Sequence, residues 1–336
     1  MNNRPLDKLN WGILSTARIN RRIIPQIKKA SRSELVGVAG RDPERTRRFA
    51  SRWEIPRAFN SYEELLANPG INVVYISLPN SLHGEWVLRA GRSGKHVLCE
   101  KPLALSGTEV ERMAAEARGR KLVVIEAMAY LMHPQFLRLK SFIADGLIGR
   151  VRLIRAWFRF FLPRGSNIRW SKELGGGVLW DVGCYPVSFC RAIIGAPPVE
   201  VFARQQTGPT GVDVISACQL NYSNDIIAQI DCAFSLPYGV GAEVVGEKGL
   251  LRVLNPWQPD LDGKVSDLVH VAPDDTETEI STLARDPYLC EIETLESAVL
   301  DGVPPAYNLE ESRENAEVIA ALYRSARTGK VVKKFY

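Results

Sequence analysis

The sequence predicts two domains: a parallel, doubly wound α/β sheet, then an α+β domain with a large, mostly antiparallel open sheet. Three observations predict it. In the first third, short apolar runs alternate with helical stretches of about ten residues, the pattern of parallel strands joined by crossover helices. Beyond Gly149, strand-like runs follow one another across short turns with few helices between them, which implies antiparallel neighbours. A chain of 336 residues also exceeds what one ordinary core organises. The division is expected at residues 1–128 and 129–336.

Leu9 to Leu14 is short and apolar and reads as the first strand, and Arg18 to Ala30 carries Ile19, Ile23, Ile24 and Ile27 at helical spacing. Leu35 to Ala39 is the second strand. Pro43 then opens a charged helix at the first-turn position, where proline is tolerated. Ser61-Tyr62-Glu63-Glu64 resembles a capping box and starts a helix that runs to Ala67. Val73 to Ser77 is the third strand, Leu82 to Arg92 a helix, and His96 to Cys99 the fourth strand, closed by Glu100-Lys101-Pro102. Glu109 to Arg118 and Leu122 to Ala127 continue the alternation. The pattern changes after the helix Pro134 to Asp145 and the turn Gly146-Leu147-Ile148-Gly149. Strands are expected at Val151–Phe161, Val199–Gln206, Asp213–Tyr222, Ile226–Phe234, Ala242–Gly246 and Leu250–Leu254, and two amphipathic helices, Tyr288–Asp301 and Leu309–Arg327, close the chain.

With 46% hydrophobic and 24% charged residues, the composition is that of an ordinary globular protein. No apolar stretch approaches the roughly 18 residues that span a bilayer. Met1 to Lys8 has no apolar signal core, so a cytoplasmic protein with no membrane partner is expected. Six scattered cysteines without a Cys-x-x-Cys fit thiols in a reducing compartment. The four histidines are dispersed with no recurring ligand spacing, so no metal site is expected. Part of the net charge of +5 is local: Arg41, Arg45, Arg47, Arg48 and Arg52 fall close together. The run is too short for a nucleic-acid patch and reads mainly as a solvated helix face, with a single phosphate group as the economical partner.

In a doubly wound sheet, the first strand-to-helix turn commonly binds a dinucleotide pyrophosphate through G-x-G-x-x-G. Here that stretch is Ser15-Thr16-Ala17-Arg18-Ile19-Asn20, without a glycine, and by itself it reads as a structural turn. Ala17 is still small, Ser15 adds a hydroxyl, and the helix start offers free N–H groups. At the end of the second strand, Gly40 leaves space, and Arg41 in place of an acid favours a 2′-phosphate, with Arg45 one turn on. A nicotinamide cofactor would therefore be NADP, with NAD as the other option. Leu78-Pro79-Asn80 and His83 follow the third strand on the same carboxyl edge, where His83 suits ribose contact or simple packing. Glu100-Lys101-Pro102 follows the fourth strand. Alone it is an ordinary charged loop, although a lysine at that edge faces a ligand crevice.

The other unusual stretch is Leu174-Gly175-Gly176-Gly177-Val178-Leu179-Trp180-Asp181-Val182-Gly183-Cys184-Tyr185-Pro186. If it is helical after the glycines, Asp181 and Tyr185 share one face. Arg169 precedes it and reads equally as a ligand contact or a surface residue. Tyr130 and His133, just beyond the fifth strand, line a pocket or pack in the core.

Taken in order, Trp11-Gly12-Ile13-Leu14, Pro79-Asn80-x-x-His83, Glu100-Lys101-Pro102, Gly149-x-Val151 and Gly175-Gly176-Gly177 through Asp181 resemble the Gfo/Idh/MocA family of oxidoreductases over almost the whole length. The resemblance implies a Rossmann domain, then a domain whose open sheet carries homodimer or homotetramer contacts. It also implies hydride transfer between a nicotinamide and a carbon of a sugar or polyol, of the aldose 1-dehydrogenase or ketosugar reductase type. By position, Lys101, Asp181 and Tyr185 would be the catalytic set, joined at the substrate by Tyr130. Ser15 to Ile19, Gly40, Arg41, Leu78 to Asn80, His83, Glu100, Lys101 and Arg169 would hold the cofactor. Tyrosine at position 185, where many members have histidine, is similar to the glucose-fructose oxidoreductase, dihydrodiol dehydrogenase and ketosugar-reductase branches. The alternative is a non-catalytic NAD(P)-binding sensor or scaffold with the same fold.

Overall fold

The computed structural model describes residues 7–261 and 268–333, so most of the N-terminal stretch read for a signal core lies outside the described residues. The chain divides into two compact units. The first takes the chain up to Ala104, Thr108–Ala129 and Tyr288–Ser312. The second takes Leu105–Gly107, Tyr130–Pro287 and the chain from Arg313 on. The division is therefore not a single cut, because a late segment returns to the first unit.

In that unit, apolar runs too short for helices become strands buried on both faces, as in the fully buried Val73–Ile76. The elements are β1 (Leu9–Leu14), α1 (Asn20–Lys29), β2 (Ser33–Ala39), α2 (Pro43–Arg52), β3 (Arg57–Phe59), α3 (Tyr62–Ala67), β4 (Val73–Ile76), α4 (His83–Arg92), β5 (His96–Glu100), α5 (Gly107–Arg120) and β6 (Val124–Ala127). The six strands are parallel in the order β3-β2-β1-β4-β5-β6. That order reverses between β1 and β4, and ligands of such sheets bind at the carboxyl ends beside the reversal. The expected cap forms with its return bond shifted by one residue: Ser61 Oγ accepts from Glu64 N–H at 3.0 Å, and the Glu64 carboxylate accepts from Asn60 N–H, just before the cap, at 2.8 Å. Sequence reading misses β3, which at three residues carries no periodicity.

The second unit contains α6 (Pro134–Ala144), β7 (Val151–Phe161), α7 (Cys184–Ile194), β8 (Glu200–Thr207), β9 (Asp213–Asn221), β10 (Ile227–Ala233), β11 (Ser235–Gly246), β12 (Gly249–Val253), β13 (Leu268–Val271) and β14 (Glu277–Ile280). Then come α8 (Pro287–Leu300), nearly all of which belongs to the first unit, α9 (Leu309–Thr328) and β15 (Val332–Lys333). The nine strands run in the order β14-β13-β12-β11-β7-β10-β9-β8-β15. All neighbours are antiparallel except β7 and β10. That pair is parallel because the meander from β8 to β10 re-enters the sheet beside β7. β11 is longer than expected; its first part holds Pro237 and Gly239 and joins β7 across a register shift between Ser235 and Gly239. Helix α7 lies against β7 and β10.

Candidate active site

In the first unit the turn after β1 lacks the glycines of the fingerprint, yet Ser15 adopts φ 118°, a conformation that favours glycine. A buried network holds it there. Ser15 Oγ lies 3.0 Å from the Ser77 carbonyl oxygen and 2.8 Å from Ser77 Oγ, and it accepts from Ala17 N–H at 3.1 Å. Asn20 Nδ2 donates to the Ser15 carbonyl at 2.8 Å and accepts, through Oδ1, from Ser77 Oγ at 2.7 Å. Strain of about 1–3 kcal/mol is offset by several hydrogen bonds of about 1 kcal/mol each. The serine thus replaces the first glycine and fastens β1 to β4. Among the described residues, the N–H groups of Thr16, Arg18 and Ile19 have no acceptor, and together with the small Ala17 they fit a pyrophosphate at the start of α1.

At the end of β2, a Cβ on Gly40 would stand 2.4 Å from Thr46 Oγ1, which itself donates to the Asp42 carbonyl at 2.7 Å. The Asp42 carboxylate is spent on capping α2. It accepts from Glu44 N–H and Arg45 N–H, both at 3.0 Å, and these backbone bonds hold its pKa below the usual carboxylate range. Arg41 and Arg45 are exposed beside it.

Leu78 and Pro79 lead into a 3₁₀ turn, Asn80–Leu82, and then into α4. His83 at its start is fully buried. Its Nε2 lies 2.9 Å from the Leu78 carbonyl oxygen and its Nδ1 2.8 Å from that of Pro102. Both ring nitrogens stand against backbone carbonyl oxygens, so the histidine ties the Leu78 turn to the Lys101 loop. Burial pulls its pKa below the ordinary value against the two carbonyls, and the Lys101 charge acts in the same direction as burial.

The Lys101 loop follows β5 and is pinned on every side by buried groups of the same unit. Tyr75 Oη donates to Glu100 Oε1 at 2.5 Å, and the neighbouring carboxylate and burial push the tyrosine pKa well up. Leu103 N–H donates to Glu126 Oε1 at 2.9 Å, and Tyr307 Oη donates to Glu126 Oε2 at 3.1 Å. Lys101 itself is half-buried. Sequence reading missed Tyr75, Glu126 and Tyr307. One signal was available: Glu126 is the only charged residue in the otherwise apolar strand β6.

In the second unit, the glycine triplet is a packing requirement. A Cβ on Gly176 would meet the Arg169 carbonyl oxygen at 2.4 Å. At Gly177, where φ is 116°, it would stand 2.1 Å from Asp213 Oδ1. That buried carboxylate accepts from Leu179 N–H at 2.9 Å, Ser216 Oγ at 3.0 Å and Tyr323 Oη at 2.7 Å. The helical run then begins with a π turn, Leu179–Gly183, that holds Asp181, and continues into α7 with Tyr185 in its first turn.

Arg169 Nε donates to Asp181 Oδ2 at 2.5 Å, so the structure brings these two predicted residues together. Tyr185 is half-buried, its ring centroid 5.9 Å from Tyr130, 5.7 Å from Phe158 and 6.0 Å from Trp257. Tyr130 Oη is turned to Ser188 Oγ at 2.7 Å and to the Tyr185 carbonyl oxygen at 3.3 Å, and the ring is buried as a wall of this aromatic box. Phe158 and Trp257 were not read as site residues. Of the two readings of His133, pocket or core, the structure gives it a structural part. Its Nδ1 caps α6 by accepting from Gln135 N–H at 3.1 Å, while Nε2 lies 2.9 Å from the Arg285 carbonyl oxygen and 3.2 Å from Asp260.

Residues 9–128 match the oxidoreductase family, NAD-binding Rossmann fold, and residues 136–252 match the GFO/IDH/MocA C-terminal domain. D-xylose 1-dehydrogenase (NADP(+)) 2 of Haloferax volcanii is 34% identical over 328 residues, which cover 96% of this chain and 99% of that protein. Human trans-1,2-dihydrobenzene-1,2-diol dehydrogenase is 34% identical over 258 residues, 75% of this chain and 76% of that protein. The crystal structure of KijD10, a 3-ketoreductase from Actinomadura kijaniata in complex with NADP and TDP-benzene, matches with a TM-score of 0.89 at 29% identity, over 95% of this chain and 98% of that one. With an NAD-binding Rossmann profile on the parallel sheet, the C-terminal-domain profile after it and near-full-length likeness to oxidoreductases, the chain belongs to the Gfo/Idh/MocA family of oxidoreductases.

Proposed function

We propose that the protein is an NADP-dependent oxidoreductase that moves a hydride between the nicotinamide and a CH–OH carbon of a sugar or polyol, as an aldose 1-dehydrogenase or ketosugar reductase. The observation that carries this reading is the pinned Lys101 loop. Four buried side chains, Tyr75, His83, Glu126 and Tyr307, fix the residues around one half-buried lysine at the carboxyl edge of the parallel sheet. A merely solvated lysine needs no such support, whereas a group that hydrogen-bonds a reacting oxygen does.

When bound, the nicotinamide takes up or gives back the hydride. The chain's residues handle the proton and the oxygen. Oxidation of a hydroxyl also releases a proton, which Tyr185 relays by taking it up as its own phenolic proton is passed on, while Lys101 hydrogen-bonds the oxygen as its charge develops. Reduction runs the same transfers backwards. Asp181, itself held by Arg169, completes the polar set on the side of Tyr185. The free N–H groups after β1 support the pyrophosphate, and Arg41 with Arg45 supports a 2′-phosphate, since the Asp42 carboxylate is committed to α2. The buried rings of Tyr130 and Trp257, with the half-buried Phe158, back the Tyr185 ring and hold it in place.

A cytoplasmic location belongs to the same reading, and the six free, buried cysteines support it; among the described residues no helix is long and apolar enough to cross a membrane. Self-association belongs to the same reading: residues of β7, β8, β9 and β10 line a concavity of about 440 Å³ on one face of the open sheet.

A panel of free aldoses with NADP and of keto-sugars with reduced NADP, followed by nicotinamide absorbance, tests the reading and separates its two types. Lys101→Ala and Tyr185→Phe should each lower kcat by about 10²–10⁴-fold, and the double variant should lose little more than either alone. Cofactor binding without turnover on any member of the panel would favour a sensor. Near-wild-type turnover of Lys101→Ala would refute its role.

A further inference from the structure

Positive charge in the first unit gathers in one groove. Arg18 from the turn before α1, Arg21 from α1, and Arg45, Arg48 and Arg52 from α2 line a cavity of about 500 Å³ that begins at Thr16 and Ala17 of the cofactor turn. Arg45, Arg48 and Arg52 are spaced by three and four residues, so they form one row along α2. At 1.5 Å per residue this row is about 10 Å long. Arg45 Nη2 reaches across to the Thr16 carbonyl oxygen at 3.5 Å, and Lys28 Nζ donates to the Trp53 carbonyl oxygen at 2.7 Å at the other end. Few carboxylates answer this charge: Glu44 pairs with Arg48 at 2.7 Å, and Glu54 with Lys28 at 3.5 Å. Among the described residues Arg18, Arg21 and Arg52 form no ion pair.

Like charges this close repel one another, so the cluster works against stability unless an anion joins it. The 2′-phosphate assigned to Arg41 and Arg45 carries at most about two negative charges and meets only the near end of the row. Arg21, Arg48 and Arg52 lie beyond it. Guanidinium groups suit phosphate oxygens through paired hydrogen bonds. The groove also has an aromatic flank: the Phe49 and Trp53 rings stand 6.4 Å apart at 46°, with the Arg52 guanidinium 6.0 Å from Trp53. Both rings are half-buried, and arginine beside a partly exposed aromatic ring is an arrangement on which bases stack.

We propose that this groove binds a nucleoside polyphosphate, its phosphate chain along Arg21, Arg48 and Arg52 and its base against Trp53, beside the dinucleotide rather than in its place. The site goes beyond the proposed reaction and gives the protein a second, nucleotide-responsive input.

Calorimetric titration of the full chain with ATP, tripolyphosphate and inorganic phosphate tests it, first without NADP and then with NADP saturating. In the titration without NADP, ATP also has access to the dinucleotide cleft, so the difference between the wild type and R21Q/R52Q reads the groove whether or not the cofactor reading holds. ATP should bind in both conditions, more tightly than tripolyphosphate, with inorganic phosphate weakest. The double variant R21Q/R52Q should weaken ATP at least about tenfold and leave NADP affinity unchanged, since neither residue is assigned to the cofactor. Trp53→Leu should bring ATP down to the level of tripolyphosphate. The proposal is overturned if saturating NADP abolishes ATP binding, if R21Q/R52Q binds ATP as the wild type does, or if Trp53→Leu leaves the preference for ATP intact.

Discussion

Acid should weaken the first unit through His96, the first residue of β5. Its Nδ1 accepts from Val123 N–H at 3.0 Å, and burial pushes its pKa down to about 4. The unfolded value is about 6.5, so between the two values the unfolded chain binds the extra proton. The contribution is therefore complete above the unfolded value and is lost as pH falls toward the folded one. Linkage gives a loss of about 2 kcal/mol by pH 5 and about 3 kcal/mol by pH 4. Protonation also turns the acceptor of Val123 into a donor, loosening the start of a strand that ends at Glu100. His96→Asn keeps an acceptor near Nδ1 and does not titrate. Urea unfolding of both proteins at about pH 8 and pH 5 measures the effect. The wild type should lose about 2 kcal/mol more than the variant. Burial also pulls His83 and His133 down, and taking the difference between the two proteins removes their share. An equal loss in both proteins would refute the argument.

Three further changes probe the supports of the site. Glu126→Ala orphans the buried Leu103 N–H and should cost roughly 2–3 kcal/mol and lower kcat more than it raises KM, whereas Glu126→Gln, which keeps an acceptor, should restore most of both; equal losses in the two variants would count against positioning. Gly177→Ala combines a strained φ with a Cβ 2.1 Å from Asp213 Oδ1 and should cost roughly 3 kcal/mol by thermal unfolding. Ser15→Gly should be more stable than Ser15→Ala by about 1 kcal/mol, because both lose the hydroxyl but only glycine relieves the positive φ; the reverse order in urea would refute the strain argument.

What was legible in the chain was whatever is local or forced by residue type. Alternating apolar runs and helices located five of the six parallel strands, and the glycine triplet marked a place where the backbone allows no side chain. The reasons for those features are not local. Asp213, which excludes a Cβ at Gly177, stands 34 positions from Leu179, whose N–H it accepts, and 110 from Tyr323, its hydroxyl donor. Glu126 and Tyr307, which together brace the Lys101 loop, are 181 positions apart. Only the topology brings such groups together, so a motif shows the lysine and conceals what holds it.

Ser15 marks the boundary of what residue type reveals. A turn that needs positive φ announces itself when glycine fills it, because glycine adopts that conformation without help. Here the same conformation is carried by a serine, and the compensation is distributed: Asn20 lies five positions away and Ser77 sixty-two. A fingerprint built on glycines passes over this turn although the backbone is shaped as the fingerprint requires. The consequence is chemical as well as formal. The serine hydroxyl is bound to β4, so the turn is braced across the point where strand order reverses, and the N–H groups of Thr16, Arg18 and Ile19 stay free for an anion. A glycine would supply the conformation without that brace, which is why Ser15→Gly and Ser15→Ala together separate backbone strain from the bond across the sheet.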